Sequence, residues 1–403
     1  MSEQGDVWYF SRGDAELGDK CPRARYHRTI STGRGVVKIG SSFELSFGSI
    51  IHKALEWVLT EKMSLDDAET YARQSIHKVV ISGEVPKKIP IEFQDQFDRE
   101  SQALAGGLIW AWGLYVLPSL RTAYNVLHAE EQTTYIRDGF ALPTVADVIL
   151  ESKEDQTLIY PDYKTTAWVN PAWMAQWNRS AQLHTTARAI EQVLGREVEY
   201  CYVQALVKGQ WKNDYQQSPM VWGYYNPELD DEKRQVRQKG GGGRIDPQWL
   251  WKHTLRKGWV RTAQWQSGMS SRQWIEAMPP DMARSVVPRT QPIMIDEELA
   301  ETWWRQHIIK EQVYREAKTQ LHQLDTDTAH TIVPADLSIY HRERIMDRAF
   351  PQDFTQCTPV IGFRCDYNAL CHEGLDPLGC GIYRKRPTYA ERLAEESAAE
   401  EKE

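Results

Sequence analysis

The order of β-rich segments between residues 125 and 207 constrains the fold more than any other feature of this sequence. Three short segments, 125–136, 141–151 and 157–163, follow one another, and each is rich in β-branched and aromatic residues. Turn signals separate them at Arg137-Asp138-Gly139 and at Lys153-Glu154-Asp155. Short strands joined by tight turns predict a meander of neighbouring strands in one sheet.

Helices are predicted on both sides of this meander. Before it, residues 47–62 carry apolar residues at helical spacing, Ser64 opens a second helix with a capping-box pattern, and a third helix runs from about Glu92 to Leu117. After it, a helix runs roughly from Pro171 to Leu194, and the segment EVEYCYVQALVKG follows as a fourth strand. This order predicts an α/β fold with a central mixed β-sheet flanked by helices.

The composition limits the class of protein. A chain of 403 residues that is 41% hydrophobic and 26% charged is typical of a globular protein and excludes disorder throughout. Six cysteines in this length exclude a small disulfide scaffold. The N-terminus has no apolar signal core and no window reaches about 18 consecutive apolar residues, so we expect no membrane span and a reducing cytoplasmic location. The net charge of −8 excludes a protein that coats DNA by bulk charge but allows a basic cleft.

Two aspartates and a lysine carry the strongest chemical signal. Asp147 lies in the apolar segment VADVIL, and Asp162 ends the next predicted strand, two residues before Lys164. Alternation along a strand places Asp162 and Lys164 on one face, and pairing of the two strands would bring Asp147 close to Asp162. Two neighbouring carboxylates repel each other unless a cation lies between them, and oxygen ligands suit Mg²⁺ or Mn²⁺. Lys164 would orient an attacking water or stabilise charge on a phosphate.

Two helical residues complete a pattern that is rare as a whole. The helix before the strands carries Gly48-x-x-x-His52, and the helix after them carries Gln182. His52 has apolar neighbours, and a lone histidine of this kind is more often a core residue than a ligand. In order with Asp147 and Pro161-Asp162-Tyr163-Lys164, however, these residues give a sequence that resembles the PD-(D/E)XK nuclease superfamily, in its RecB-like branch, over about residues 44–207.

The resemblance implies a restriction-endonuclease-like core and assigns roles to residues. Lys164 corresponds to the catalytic lysine, and Gln182 begins the Q-x-x-x-Y motif of the following helix. The metal ligands correspond to His52, Asp147, Asp162 and the backbone carbonyl of Tyr163. Thr186 stands at the tyrosine position of that motif, and the glycine that often precedes the first acid is absent. These departures leave the metal site intact and change the contacts that position DNA and the lysine.

Cysteines flank the predicted core. Cys21 lies in CPRARY, Cys357, Cys365 and Cys371 follow with C-x7-C-x5-C spacing, and Cys380 lies beyond them. Clustered thiolates hold zinc or an iron–sulfur cluster, and this spacing lacks the C-x2-4-C knuckle of common zinc sites. Some RecB-like nucleases place one cysteine before the core and three after it. The resemblance thus implies a [4Fe–4S] cluster bound by Cys21, Cys357, Cys365 and Cys371. Cys380 is a spare that could replace Cys357. Free or zinc-bound thiols are the alternative.

A basic segment that contains four consecutive glycines offers a DNA-binding surface. Its basic residues are Lys233, Arg234, Arg237, Lys239 and Arg244. A second basic set, within 252–261, alternates with tryptophans, and such a mixture can follow a phosphate backbone and stack on bases. A solvated helix face whose tryptophans point into the core is the alternative.

The predicted organisation has five segments. They are an N-terminal segment (1–46) with the first cysteine, the nuclease core (47–226), a basic Gly-rich loop with a helical Trp-rich insertion (227–350), a cysteine-rich region (351–386) that the cluster would staple, and an acidic tail (387–403).

The predicted function is that of a Mg²⁺- or Mn²⁺-dependent DNA exonuclease in recombination, repair or phage DNA processing. Single-stranded DNA or a DNA end is the expected substrate, by resemblance. The sequence has no G-x-x-x-x-G-K-[ST] motif, so a helicase partner would be a separate chain. The alternatives are an inactive DNA-end-binding subunit of a recombination complex and a zinc-stapled structural adaptor.

Overall fold

The computed structural model describes residues 7–38, 42–83, 94–167, 169–208, 210–211, 256–257, 270–277, 280–330, 333–352, 365–372, 376–387 and 391. Its α-helices are α1 (Arg12–Lys20), α2 (Pro22–Thr29), α3 (Phe43–Leu59), α4 (Leu65–Ile81), α5 (Gln94–Tyr115), α6 (Leu117–Ala123), α7 (Pro171–Ala175), α8 (Ala181–Leu194), α9 (Ser271–Ala277), α10 (Pro280–Ser285), α11 (Glu297–Ala329), α12 (Ala335–Ala349) and α13 (Asn368–His372). Its strands are β1 (Trp8–Tyr9), β2 (Val36–Lys38), β3 (Tyr124–Arg137), β4 (Phe140–Ser152), β5 (Leu158–Thr166), β6 (Val198–Val207), β7 (Gln210–Trp211), β8 (Arg256–Lys257), β9 (Ile293–Met294) and β10 (Tyr383–Lys385).

The chain forms two compact units. The first unit consists of Met1–Gly40, Thr134–Thr144 and Glu297–Glu403, and the second of Ser41–Thr133 and Val145–Asp296. The long strands β3 and β4 contribute residues to both units. Each unit combines segments that are far apart in the sequence. The division into five contiguous segments stays a prediction from the sequence.

The second unit contains a mixed β-sheet. β5 pairs in parallel with β6 over the whole of Leu158–Thr166, and α8 provides the crossover that a parallel pair requires. β4 pairs antiparallel with β5 at Leu150 and Glu151, β9 pairs antiparallel with β6, and β3 pairs with β4. The predicted α/β class with a mixed central sheet flanked by helices is therefore confirmed.

Helices bury both faces of this sheet. On one face, α3, α4 and α5 pack together and share a core with Ile159 and Tyr163 of β5. On the other face, residues of α8 share a second core with Leu158 and Tyr160 of the same strand. Alternate residues of β5 therefore point to opposite faces, and the apolar run LIY reflects a strand that is covered on both sides.

The turn between β3 and β4 has the conformation that its sequence favours. Asp138 and Gly139 have φ values of +54° and +76°, both in the left-handed region. Two-residue hairpin turns of this kind favour Asp-Gly, because the left-handed region has little steric penalty for glycine and is tolerated by aspartate. The turn predicted from the sequence thus joins the two longest strands of the sheet.

The predicted continuous helix from Pro171 to Leu194 is wrong. The chain forms α7, then a 3-10 helix at Gln176–Arg179, and then α8 after the extended residue Ser180. Ser180 occupies the N-cap position of α8 without a side-chain hydrogen bond, and apolar periodicity alone does not detect such a break. The predicted end of the helix at Gly195 is correct, since this residue has φ +64° at the C-cap.

The first unit joins N-terminal and C-terminal segments of the chain. β2 pairs antiparallel with β10, and the Asp14 carboxylate accepts hydrogen bonds from Arg28 and Arg386. The buried Arg25 donates to both carboxylate oxygens of Glu311 on α11, at 2.7 and 2.8 Å. Removal of one partner from such a buried pair leaves an uncompensated charge and is strongly destabilising. Direct side-chain and strand contacts therefore hold these segments together.

One helical stretch among the described residues is long and apolar enough to be compared with a membrane span. Residues Phe97–Ala123 pass the test for a span by length and composition. However, 72% of the apolar window is buried inside the protein, where α5 packs against α3 and α4. The core helix of a globular protein meets the same criterion, so the finding is weak evidence for a membrane span.

Candidate active site

The site forms where β4 and β5 cease to pair. Their ladder contains Leu150 and Glu151 of β4. Further along, the Oδ2 atom of Asp147 accepts a hydrogen bond from the backbone N–H of Tyr163. A carboxylate thus satisfies a donor that a backbone carbonyl would satisfy in a continuous ladder. Because the side chain of Asp147 is only 12% exposed, this bond fixes a buried charge beside β5.

His52 and Glu130 lie close to Asp147. His52 is on α3, and its Nδ1 atom is 3.4 Å from Oδ1 of Asp147. Glu130 is on β3. One ligand atom from each of His52, Glu130 and Asp147 lies within 4.8 Å of the other two. In the part of the chain that the structure describes, this is the only such group of three or more His, Cys, Asp or Glu residues.

Gly48 allows α3 to approach β5. A Cβ atom at this position would lie 2.9 Å from Oγ1 of Thr165, a distance that real Cβ atoms essentially never show. His52 follows on the same helix, and Thr165 directly follows Lys164 on β5. The Gly48-x-x-x-His52 pattern therefore permits a close helix–strand contact next to the candidate site.

The charges of this group shift one another's protonation. Burial would lower the pKa of His52, but the nearby Asp147 outweighs burial and raises it. Burial would raise the pKa of Asp147, but His52 outweighs burial and lowers it. Burial and the Asp147 charge together raise the pKa of Glu130 to about 7. His52 and Asp147 thus favour a charged pair, while Glu130 is half protonated near neutral pH.

Asp162, Lys164 and Gln182 form an adjoining group. The Nζ atom of Lys164 is 2.6 Å from Oδ2 of Asp162, and Nε2 of Gln182 donates to Oδ1 of Asp162 at 3.1 Å. Asp162 and Lys164 share a face, as strand alternation predicts. Burial raises the pKa of Asp162 and Asp147 adds to this rise, although Lys164 acts in the opposite direction.

The PD-(D/E)XK nuclease superfamily matches this sequence over residues 9–372, most of its length. The chain belongs to this superfamily. Membership implies metal-dependent nuclease activity with DNA as the substrate. The match is to the PD-(D/E)XK nuclease superfamily as a whole and does not resolve a branch within it. A search of curated proteins found no match.

The donor atoms suit the divalent metal ions that PD-(D/E)XK nucleases use. Mg²⁺ and Mn²⁺ prefer oxygen ligands, and imidazole is a common transition-metal ligand. Of the ligands predicted from the resemblance, His52 and Asp147 lie in the close group, and Asp162 is held by Lys164 and Gln182. Tyr163 is linked to the site by its N–H bond to Asp147.

Glu130 is the residue that the sequence analysis missed. A signal was present, because Glu130 lies as many residues before the Asp138-Gly139 turn as Asp147 lies after it. Residues at equal distances from a hairpin turn face each other across the strands. Glu130 also has φ +51°, which is uncommon for a residue other than glycine. Strained backbone of this kind occurs preferentially at functional sites.

Four of the described cysteines, Cys21, Cys365, Cys371 and Cys380, lie in the first unit. Cys21 is buried in a small core of the first unit, against which Cys365 and Cys380 pack, and Cys371 is half-buried on α13. No disulfide joins the described cysteines. Among the described residues, no three sulfur atoms lie within 4.8 Å of one another, as the ligands of one zinc ion would. Cys357 lies outside the described residues.

The predicted DNA-binding residues come from the basic segment with four glycines. Lys233, Arg234, Arg237, Lys239 and Arg244 all lie outside the described residues. Their role in binding DNA therefore stays a prediction from the sequence.

Proposed function

We propose that this protein is a Mg²⁺- or Mn²⁺-dependent DNA exonuclease of the RecB-like branch, which acts in recombination, repair or phage DNA processing. One observation carries the proposal. His52, Glu130 and Asp147 converge beside the Asp162–Lys164 pair, in a chain that belongs to the PD-(D/E)XK nuclease superfamily. Adjacent, mutually repelling carboxylates in a buried site have a physical reason to exist if a cation joins them.

The acidic residues and His52 would hold the metal ion. We assign His52, Glu130 and Asp147 as its closest ligands, with Asp162 and the Tyr163 carbonyl beside them. When bound, the ion supplies Lewis-acid stabilisation of the phosphate and activation of a water. Gln182 keeps one oxygen of Asp162 oriented through its 3.1 Å hydrogen bond. The Tyr163 N–H does the same for Asp147.

Lys164 would act on the phosphate directly. Its ammonium group has three N–H donors and no acceptor, and Asp162 engages Nζ at 2.6 Å. The remaining donors can reach a phosphate oxygen and an attacking water. Its side chain is 25% exposed, so it is accessible to substrate. A fixed positive charge at this position stabilises the charge that develops on the phosphate as the P–O bond breaks.

The preference for single-stranded DNA or DNA ends rests on the resemblance to RecB-like nucleases. A helicase or a recombination protein is the proposed partner. The basic residues between 233 and 244 would follow the phosphate backbone.

A [4Fe–4S] cluster is a second part of the proposal. Cys21, Cys365 and Cys380 belong to one small core. Burial raises the pKa of the Tyr383 hydroxyl, and the neighbouring Cys380, Cys365 and Cys371 raise it further. A cluster sets its ligands wider apart than one zinc ion does, because four irons and four sulfides lie between them. Cys21, Cys365 and Cys371 would therefore bind it, with Cys357 or Cys380 as the fourth ligand.

Degradation of labelled DNA tests the nuclease proposal. Anaerobically purified protein is incubated with end-labelled linear single- and double-stranded DNA and with closed circles, in Mg²⁺, in Mn²⁺ and in chelator. We expect metal-dependent shortening of linear DNA from an end, no cleavage of circles, and no activity in Lys164→Ala. Lys78→Ala, at an exposed position on α4, is the matched control and should keep full activity.

Two outcomes would redirect the assignment. Cleavage of closed circles would contradict the exonuclease and leave an endonuclease. Tight DNA binding without cleavage in any metal would contradict the enzyme and favour the end-binding subunit.

Iron and sulfide analysis tests the cluster. We expect a brown protein whose iron and visible absorbance are lost in Cys365→Ser and kept in Cys201→Ala, since Cys201 is buried in a core of the second unit. A colourless protein that contains stoichiometric zinc would contradict the cluster and favour a zinc staple.

A further inference from the structure

Lys164 has an aromatic neighbour in addition to Asp162. Its Nζ atom lies 5.8 Å from the centroid of the Trp177 ring. An ammonium group within about 6 Å of an indole ring centroid, over the ring face, is attracted by the ring quadrupole. The side chain of Lys164 is only 25% exposed, so water screens this attraction incompletely.

Packing fixes the position of Trp177. The residue lies in the 3-10 helix Gln176–Arg179, and the ring of Trp173 packs against it edge-to-face, with centroids 5.5 Å apart. Both rings pack against the core that contains α8 residues. Trp173 is itself fixed at the start of α7, where its backbone N–H donates to Oδ1 of Asn170 at 2.7 Å.

A buried histidine ties the same segment to α8. The Nδ1 atom of His184 accepts a hydrogen bond from the backbone N–H of Asp296 at 3.1 Å. The neutral imidazole therefore carries its proton on Nε2, which donates to the carbonyl oxygen of Asn178 at 3.2 Å. Asn178 directly follows Trp177, and α8 also carries Gln182, the second partner of Asp162. One helix thus positions a neighbour of each member of the Asp162–Lys164 pair.

We propose that Trp177 is a positioning residue that holds the ammonium group of Lys164 in place for attack on the phosphate. A lysine has a long flexible stem, and one ion pair restrains only its end. Asp162 restrains Nζ through one contact and the Trp177 ring restrains it through a second. Together they leave one side of the ammonium group for the substrate. This inference rests on the proposed nuclease function, because it gives Trp177 its effect through Lys164.

Kinetics of three variants test the role. In Trp177→Leu we expect kcat to fall about tenfold, with KM changed less than about twofold, because the lost attraction acts on a group that works in the transition state. Trp177→Phe keeps an aromatic face and should recover most of kcat. Trp173→Leu removes the ring that packs on Trp177 but keeps the Trp177 ring beside Lys164, so kcat should fall less than in Trp177→Leu, by under about threefold. Wild-type kcat in Trp177→Leu would overturn the proposal.

A spectroscopic measurement tests the contact without DNA cleavage. In protein labelled with [ε-13C]lysine, the Lys164 resonance is assigned by its absence from Lys164→Arg. We expect an upfield ring-current shift that disappears in Trp177→Leu and persists in Trp173→Leu. A Lys164 resonance unchanged by Trp177→Leu would overturn the inference. A wild-type protein with this shift but no nuclease activity would instead contradict the proposed function.

Discussion

The carboxylate of Asp147 on β4 accepts a hydrogen bond from the backbone N–H of Tyr163 on β5. Tyr163 lies between Asp162 and Lys164, so this bond links the first acidic residue to the backbone that carries the second acid and the lysine. Asp162 and Lys164 lie 2.6 Å apart on the opposite side of the strand from the buried ring of Tyr163. The spacing of the acids in the site therefore depends on a backbone contact as well as on side chains.

Substitution of Asp147 separates its two roles. Asp147→Asn keeps a carbonyl oxygen that can accept from the Tyr163 N–H but loses the negative charge. Asp147→Ala also leaves that buried N–H unsatisfied, so it should be less stable than Asp147→Asn by about 1–3 kcal/mol. Chemical denaturation measures this difference, and Mn²⁺ titration should show that both variants bind metal poorly. Equal stabilities would contradict the structural role of the bond.

Glu130→Gln should have opposite effects on stability and on metal binding. In the folded, metal-free protein the pKa of Glu130 is raised to about 7, above its ordinary value of 4.5. The folded state thus binds more protons than the unfolded state between these values, and the free energy of unfolding falls as the pH rises through them. Removal of the charge should raise the free energy of unfolding at pH 8 by about 3 kcal/mol, and by much less at pH 5.

Metal affinity provides the second half of this test. A carboxylate ligand must lose its proton, so Mn²⁺ affinity of the wild type should weaken as the pH falls below about 7. Glu130→Gln should bind Mn²⁺ more weakly at pH 8, and this pH dependence should become shallower. Glu131→Gln, at the neighbouring strand position, is the matched control. Unchanged Mn²⁺ affinity in Glu130→Gln would exclude Glu130 as a ligand.

The sequence predicts the parts of the site that local pattern controls. Strand alternation places Asp162 and Lys164 together, and the Asp138-Gly139 turn signals the hairpin. Glu130 was missed because its signal spans two strands: its position opposite Asp147 follows only from counting back and forward from the Asp138-Gly139 turn. The helix break before Ser180 was missed for a different reason. There, Ser180 is extended while the apolar period continues on both sides of it, so periodicity alone merges α7 and α8 and places Trp177 in an α-helix instead of the 3-10 helix.

Gln182 should support Asp162 without touching the substrate. Its Nε2 atom donates to Oδ1 of Asp162 at 3.1 Å, and partners of metal-site carboxylates typically contribute about 10- to 100-fold to metal affinity or activity. Gln182→Ala should lower activity by about this factor and leave the melting temperature within a few degrees of the wild type. Gln192→Ala, on the same helix, is the control. An unaffected rate in Gln182→Ala would contradict the orienting role.

Gly48→Ala should push α3 away from β5. The added Cβ would meet Oγ1 of Thr165 at 2.9 Å, and overpacking of this kind costs about 1–3 kcal/mol. The loss should appear in both stability and activity, because the same helix carries His52. Thr165→Ala removes the clashing atom, so the double variant should recover stability relative to Gly48→Ala, as thermal unfolding measures. A double variant no more stable than Gly48→Ala would show that the contact is not the cause.

Single-turnover cleavage by Asp162→Asn tests the central claim most directly. The reaction on end-labelled single-stranded DNA starts on addition of Mg²⁺ or Mn²⁺, and DNA binding and thermal unfolding are measured in parallel. The account predicts that the wild type shortens the DNA, that chelator stops it, and that Asp162→Asn is at least about 100-fold slower while it still folds and binds DNA. Cleavage by Asp162→Asn at the wild-type rate, or wild-type cleavage that persists in chelator, would contradict it.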